Sequence, residues 1–181
     1  GICKLEKDET SWQAFMFMNQ AMYLQRSITS YAKASGSGVI CSLKDFMKDD
    51  PAFGRNKDHS HWRPFQIAFV LLNLCSIVEE DNPEKNIVDL LYFPTGGGKT
   101  EAYLGLIALT IAYRRLTAPL ENEFNKDGGV TVFLRYTLRL LTTQQRDRLL
   151  KLIIAMDILR EGSKNAQYGT EPISIGFWVG G

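Results

Sequence analysis

Residues 93–100 read Phe-Pro-Thr-Gly-Gly-Gly-Lys-Thr, a combination of residue types that can bind phosphate. The three glycines at 96–98 have no Cβ atom, so the backbone can bend and bring its N–H groups close to phosphate oxygens. Lys99 adds a mobile positive charge for the β- and γ-phosphates, and the hydroxyl of Thr100 can ligate magnesium. The loop therefore predicts binding of a nucleoside triphosphate with Mg²⁺, with Lys99 and Thr100 as the catalytic side chains and Thr100 as the metal ligand.

The sequence on either side of this loop supplies the elements that must position it. Residues 87–92 are short, apolar and partly β-branched, which predicts a buried parallel strand, and residues 101–116 are apolar at helical spacing. Strand, glycine-rich turn and helix form the usual context of a phosphate-binding loop, because the positive end of the helix dipole favours the anion. Glu101, in the first helical turn, suits the same dipole.

One position departs from the general Walker pattern, which has glycine where this chain has Phe93. The alternative interpretation is a glycine-rich turn that enters a core helix, with Lys99 simply solvated. Agreement between the strand, the three glycines, the Lys-Thr pair and the helix favours nucleotide binding.

The rest of the chain is predicted to contain further helices and strands. Helices are expected at 10–34, 63–78, 101–116 and 138–159, and strands at 87–92, 130–134 and 173–179. From the first strand onward the order alternates between strand and helix. This order predicts an α/β fold built on a parallel sheet with right-handed crossovers.

Composition is that of an ordinary globular protein, with 181 residues of which 45% are hydrophobic and 23% charged. A formal net charge of +1 excludes a global attraction to polyanions, so any such site must be local. Three widely spaced cysteines fit a reducing compartment, and no apolar run is long enough to span a bilayer, so we expect a cytoplasmic protein without membrane contact. The chain begins without methionine and stops on two glycines after a strand-like run, so we expect a piece of a longer protein.

Two further stretches, taken with the loop, resemble superfamily 2 helicases, specifically the front part of their first RecA-like domain. Arg63-Pro64-Phe65-Gln66 resembles the Arg-x-aromatic-Gln element that these helicases place before the loop, and residues 137–144 resemble their motif Ia. The resemblance implies that Gln66 reads the adenine edge through its amide and that Arg63 orients or stacks on the nucleotide. The alternative for these two residues is a helix surface pair.

The same resemblance implies a domain organisation and a set of ATP-binding residues. Residues 1–60 are expected to form a helical N-terminal segment, and residues 61–181 a partial RecA-like P-loop core that stops before the acidic magnesium-binding motif. The ATP-binding residues are expected to be Arg63, Gln66, Pro94, Thr95, Gly96, Gly97, Gly98, Lys99, Thr100 and Glu101.

The implied activity is ATP hydrolysis coupled to movement along nucleic acid, with DNA favoured over RNA. Such proteins hold the sugar-phosphate backbone, so sequence specificity is expected to be low. The contacts are expected at Arg135, Thr137, Arg139, Thr142, Thr143 and Gly180. Because no acidic box or arginine finger is recognisable, we expect this chain to bind ATP weakly and not to hydrolyse it well alone.

A finer resemblance is to the helicase subunit of the DISARM anti-phage system, carried by residues 15–22, 63–66 and 135–142. It implies a role in antiviral defence and other defence-complex subunits as partners.

Two alternatives remain open from the residues. A small nucleotide kinase suits the length and the loop, but it calls for glycine in place of Phe93 and an arginine-rich lid, and residues 121–129 contain no arginine. A nucleotide-dependent scaffold would bind its partners through the long first helix.

Overall fold

The computed structural model describes residues 1–38, 41–49, 61–92, 97–117, 127–135 and 139–178, with the backbone alone at 48–49 and 139–144. Its α-helices are α1 (Ile2–Lys7), α2 (Glu9–Gly36), α3 (Leu43–Asp49), α4 (Pro64–Val78), α5 (Lys99–Leu116) and α6 (Arg139–Glu161). Short 3₁₀ turns lie at Pro83–Asn86 and Lys164–Ala166.

The long first helix, α2, begins and ends close to where the sequence predicts. Asp8 is its N-cap residue: the Oδ1 atom of Asp8 accepts a hydrogen bond from the N–H of Thr10, and Oδ2 accepts one from the hydroxyl of Ser11. An aspartate at this position satisfies N–H groups that have no partner inside the helix.

The other three long helices lie within two residues of the bounds that the apolar spacing predicts. Arg63 is the N-cap residue of α4 and Pro64 its first residue, where a missing N–H costs no hydrogen bond. Helix α5 begins at Lys99, and α6 ends at Glu161, two residues beyond the predicted boundary.

The core forms where α2 packs against α5 and α6, while α4 packs on α5. Helix α2 contributes the apolar side chains of Ala14, Phe17, Met18 and Ala21 to the same buried cluster as the other helices. A fully buried side chain of the size of Met18 contributes about 1.5–3 kcal/mol to stability. Helix α2 therefore shares one core with α5, and the predicted domain boundary at residue 60 stays a prediction.

Gly105 allows the ring of Trp62 to approach the middle of α5 closely. A Cβ atom at this position would lie 2.8 Å from the Trp62 ring and 3.5 Å from the sulfur of Met18. The indole N–H of Trp62 also donates to the Oδ1 atom of Asn19 (2.7 Å), which ties the start of α4 to α2. Because Gly105 has no side chain, the Trp62 ring can pack against α5 while its N–H group contacts α2.

The predicted parallel sheet, and with it the RecA-like α/β fold class, is wrong for this structure. The described residues form helices and turns and contain no strand. Residues 87–92, predicted as a buried strand, are irregular, and Val88 and Tyr92 are 92% and 87% exposed. Residues 130–134 and the described part of 173–179 are irregular as well. An apolar run predicts burial but cannot identify a pairing partner, and a strand exists only where a neighbour accepts its backbone hydrogen bonds.

The turns that lead into two of these irregular segments, 130–134 and 173–178, are fixed to the helices by a buried arginine. Arg115 of α5 is 6% exposed, and its guanidinium donates to the carbonyl oxygens of Asp127 (2.9 Å), Tyr168 (2.9 Å) and Glu171 (2.7 Å). A guanidinium carries five N–H donors in a fixed plane, so one side chain can hold several loop carbonyls at once. Arg115 therefore takes part of the positioning role that a sheet would have had.

Candidate functional site

The candidate site lies at the beginning of α5. Gly98 is the N-cap residue and has a left-handed backbone conformation (φ 93°, ψ 24°), which glycine adopts without steric penalty. Lys99 and Thr100 follow as the first two residues of the helix. The N–H groups of a first helical turn point outward along the axis and favour an anion there. Residues 97 and 98 of the loop thus lead directly into a helix that begins at Lys99, while phosphate binding there stays a prediction.

Arg63 and Gln66, at the start of α4, anchor this loop through its carbonyl oxygens. The Nη1 atom of Arg63 donates to the carbonyl of Gly97 (2.8 Å), and the Nε2 atom of Gln66 donates to the carbonyl of Gly98 (2.8 Å). The Oε1 atom of Gln66 accepts from the backbone N–H of Arg63 (2.9 Å). The structure therefore brings together the two stretches that the sequence singled out. Arg63 and Gly97 are 34 positions apart in the sequence, and Gln66 and Gly98 are 32 positions apart.

Space as well as backbone angle requires glycine at position 98. A Cβ atom there would lie 2.7 Å from the Nε2 atom of Gln66 and 3.4 Å from the Oε2 atom of Glu101. Because the Gln66 side chain is only 5% exposed, it has little room to withdraw.

Glu101 lies in the first turn of α5 and contacts α6. Its Oε1 atom accepts a hydrogen bond from the Nη1 atom of Arg148 (3.2 Å), and both side chains are partly exposed. An exposed ion pair of this kind contributes at most about 1 kcal/mol. Its relevance is positional, because it joins the candidate site to α6, the helix that was predicted to contact nucleic acid.

Several predicted site residues lie outside the described part of the chain. Of the ATP-binding set these are Pro94, Thr95 and Gly96, and of the nucleic-acid set Thr137 and Gly180. The backbones of Arg139, Thr142 and Thr143 belong to the first turns of α6, but their side chains are not described. Arg135 is exposed at the end of residues 127–135. The nucleic-acid contacts stay predictions.

The residues of the site fit a magnesium ion that arrives with a nucleotide. Among the described residues, no group of three or more His, Cys, Asp or Glu side chains could hold a metal ion. Mg²⁺ in phosphate sites is commonly bound through substrate phosphates and few protein ligands, which suits a single hydroxyl from Thr100. The groups present at the loop are the lysine cation of Lys99 and the backbone N–H donors of the first turn of α5, and such groups suit phosphates rather than a metal ion.

The anchoring of the loop by α4 is the feature that sequence reasoning missed. The resemblance had assigned Gln66 and Arg63 to the nucleotide itself, whereas in this structure their donors contact backbone carbonyls. One local signal was available: residues 63 and 66 stand at the N-cap and third positions of a helix, where a glutamine often accepts from the N-cap N–H. No sequence pattern indicates the contacts to Gly97 and Gly98.

No helix among the described residues has the length and apolar content needed to cross a membrane.

No protein-family model matches the chain. The chain is 45% identical over 175 residues to a protein named DISARM protein DrmA from Bacillus paralicheniformis, an alignment that covers 97% of the chain and 14% of that relative. This agrees with the finer resemblance found in the sequence, whereas the superfamily 2 helicase assignment stays a prediction. Nearly the whole chain is thus similar to a part, about one seventh, of a DISARM protein.

Proposed function

We propose that this chain is the ATP-binding part of an anti-phage defence protein of the DISARM type. The observation that supports the proposal most directly is the anchored turn at Gly97 and Gly98, followed at once by Lys99 and Thr100 in the first turn of α5. The similarity to DISARM protein DrmA supports the defence role.

In this proposal each residue of the loop has a separate task. The backbone N–H groups at the start of α5 bind phosphate oxygens, and Lys99 neutralises charge on the β- and γ-phosphates. Thr100 provides a hydroxyl ligand for Mg²⁺, which when bound lowers the negative charge of the triphosphate. Glu101 is held by Arg148 and stabilises the helix start rather than contacting the nucleotide.

For the longer protein we propose ATP-driven movement along nucleic acid, with DNA favoured over RNA and with other defence subunits as partners. Support comes from the Lys-Thr loop and from the position of α6, whose Arg148 contacts Glu101 next to the phosphate-binding residues. A change at the loop therefore has a direct route to α6, the helix that carries Arg139, Thr142 and Thr143.

Binding of ATP to the 181-residue chain and its Lys99→Ala variant tests the proposal. Loss of a charge-assisted contact to phosphate costs about 1.5–3 kcal/mol, so the dissociation constant for MgATP should rise about 10- to 150-fold in calorimetric titration. Lys151→Ala is the matched control, because Lys151 is also a partly exposed lysine in a helix but belongs to α6 and not to the loop. Equal affinity of the Lys99→Ala variant and the unmodified chain, or no binding by either, contradicts the proposal.

The defence role is tested by the same substitution in a DISARM system expressed in bacteria. Replacement of the lysine equivalent to Lys99 in the longer protein should raise the plating efficiency of phage to that of cells without the system. Retention of full protection would separate the defence role from nucleotide binding.

A further inference from the structure

Both ends of the Gln66 amide have partners within the chain. Its Nε2 atom donates to the carbonyl of Gly98, its Oε1 atom accepts from the N–H of Arg63, and the residue is 5% exposed. Each end of the amide has capacity for one more hydrogen bond, but the residue is buried, so an adenine edge reaches the amide only if the side chain moves and gives up its bonds to Gly98 and Arg63. Such an exchange leaves the number of hydrogen bonds unchanged, so it provides little net affinity for the base.

The contacts to Gly97 and Gly98 have a geometrical consequence for the loop. A peptide unit is planar and trans, so its N–H points opposite to its C=O. Arg63 holds the carbonyl of Gly97 and thereby directs the N–H of Gly98 away from α4. Gln66 does the same for the N–H of Lys99 by holding the carbonyl of Gly98. Two consecutive N–H groups are thus aimed toward the side of the loop that faces away from α4.

We propose that Arg63 and Gln66 are positioning residues that fix the phosphate-binding N–H groups, and that the site selects the triphosphate tail and not the adenine base. This inference rests on the proposed nucleotide-binding function and specifies its ligand. The two residues act through the backbone of Gly97 and Gly98 and contact no part of the nucleotide. Any purine triphosphate with Mg²⁺ is then an equivalent ligand in binding.

The test compares Gln66→Met with Asn73→Leu in the 181-residue chain. Asn73 is the matched control, because it lies on the same helix and its amide donates to the carbonyl of Phe69 within α4 (2.9 Å). Binding of MgATP, MgGTP and inorganic tripolyphosphate is measured by calorimetric titration. Hydrogen exchange of the peptide that covers residues 97–101 is measured without ligand by mass spectrometry.

We expect the unmodified chain to bind ATP and GTP with similar affinity. Gln66→Met should weaken all three ligands by the same factor, about tenfold for one lost hydrogen bond to the loop. The loop peptide should also exchange faster in this variant than in Asn73→Leu. A role in overall stability alone would accelerate exchange throughout the chain and not specifically in residues 97–101.

Two results would overturn the positioning role. A loss confined to ATP, with GTP and tripolyphosphate unchanged, would show that Gln66 reads the base. Unchanged exchange at residues 97–101 in Gln66→Met would show that the side chain does not fix the loop. Failure of the unmodified chain to bind any of the three ligands refutes the proposed function and with it the ligand class, while the exchange measurement still decides whether Gln66 holds the loop.

Discussion

Replacement of Gly98 by alanine tests the architecture of the candidate site most sharply. The new Cβ atom meets two separate obstacles, a left-handed backbone with φ of 93° and the Nε2 atom of Gln66 at 2.7 Å. The left-handed conformation costs a non-glycine residue about 1–2 kcal/mol. Displacement of the buried Gln66 amide from its hydrogen bonds costs about 1–3 kcal/mol more, so the free energy of unfolding should fall by roughly 2–5 kcal/mol.

Gly38 provides a control that separates the two effects. It has the same φ of 93°, but no atom of the described residues lies within 4 Å of the position where its Cβ would be. Gly38→Ala therefore carries the backbone penalty alone, about 1–2 kcal/mol. The difference between the two variants measures the contact between the loop and Gln66.

Thermal and urea unfolding followed by circular dichroism give both values. For a chain of this size, each kcal/mol shifts the midpoint temperature by about 2–4 °C, so Gly98→Ala should melt roughly 4–20 °C lower than the unmodified chain. If Gly98→Ala loses no more stability than Gly38→Ala, then Gln66 does not occupy the space over Gly98 and the anchored loop is refuted.

Three further predictions concern the scaffold. Gly105→Ala should destabilise by about 1–3 kcal/mol in urea unfolding, because the Trp62 ring lies 2.8 Å from the new Cβ, and a gain in stability from helix propensity would contradict this packing. Arg115→Lys should cost about 3 kcal/mol or more in the same assay, because a lysine cannot reach the loop carbonyls together, and a loss no larger than that of the exposed Arg146→Lys would refute its role. A hydrogen bond from Arg160 holds the pKa of Asp157 below its ordinary value. The ionised carboxylate therefore stabilises the fold at pH values above the ordinary pKa of an aspartate, and this contribution is lost as the pH falls through the pKa of the folded state. Asp157→Asn should therefore be less stable at neutral pH and lose less stability than the unmodified chain below about pH 4, and parallel curves of stability against pH would contradict the assignment.

The helices were predictable because each carries its information locally. Apolar spacing placed α2, α4, α5 and α6 within a few residues of their observed bounds, and Pro64 marked the start of α4. Helical hydrogen bonds join residues four apart, so a short stretch of sequence contains both partners.

The sheet could not be decided in the same way. Residues 87–92 and 130–134 have the composition of strands, yet in this structure they are irregular, and Phe133 is exposed. A strand needs a partner that lies far away along the chain, and an apolar run gives no information about that partner.

For the candidate site, the sequence by itself determined the chemical groups. The sequence contains three glycines followed by Lys99 and Thr100, and these residue types supply the close backbone approach, the cation and the hydroxyl that the proposed phosphate site uses. Only the tertiary structure decided what holds the loop in place. The donors of Arg63 and Gln66 reach the carbonyls of Gly97 and Gly98 because α4 packs beside α5, and contacts between residues more than 30 positions apart depend on that packing and not on local sequence.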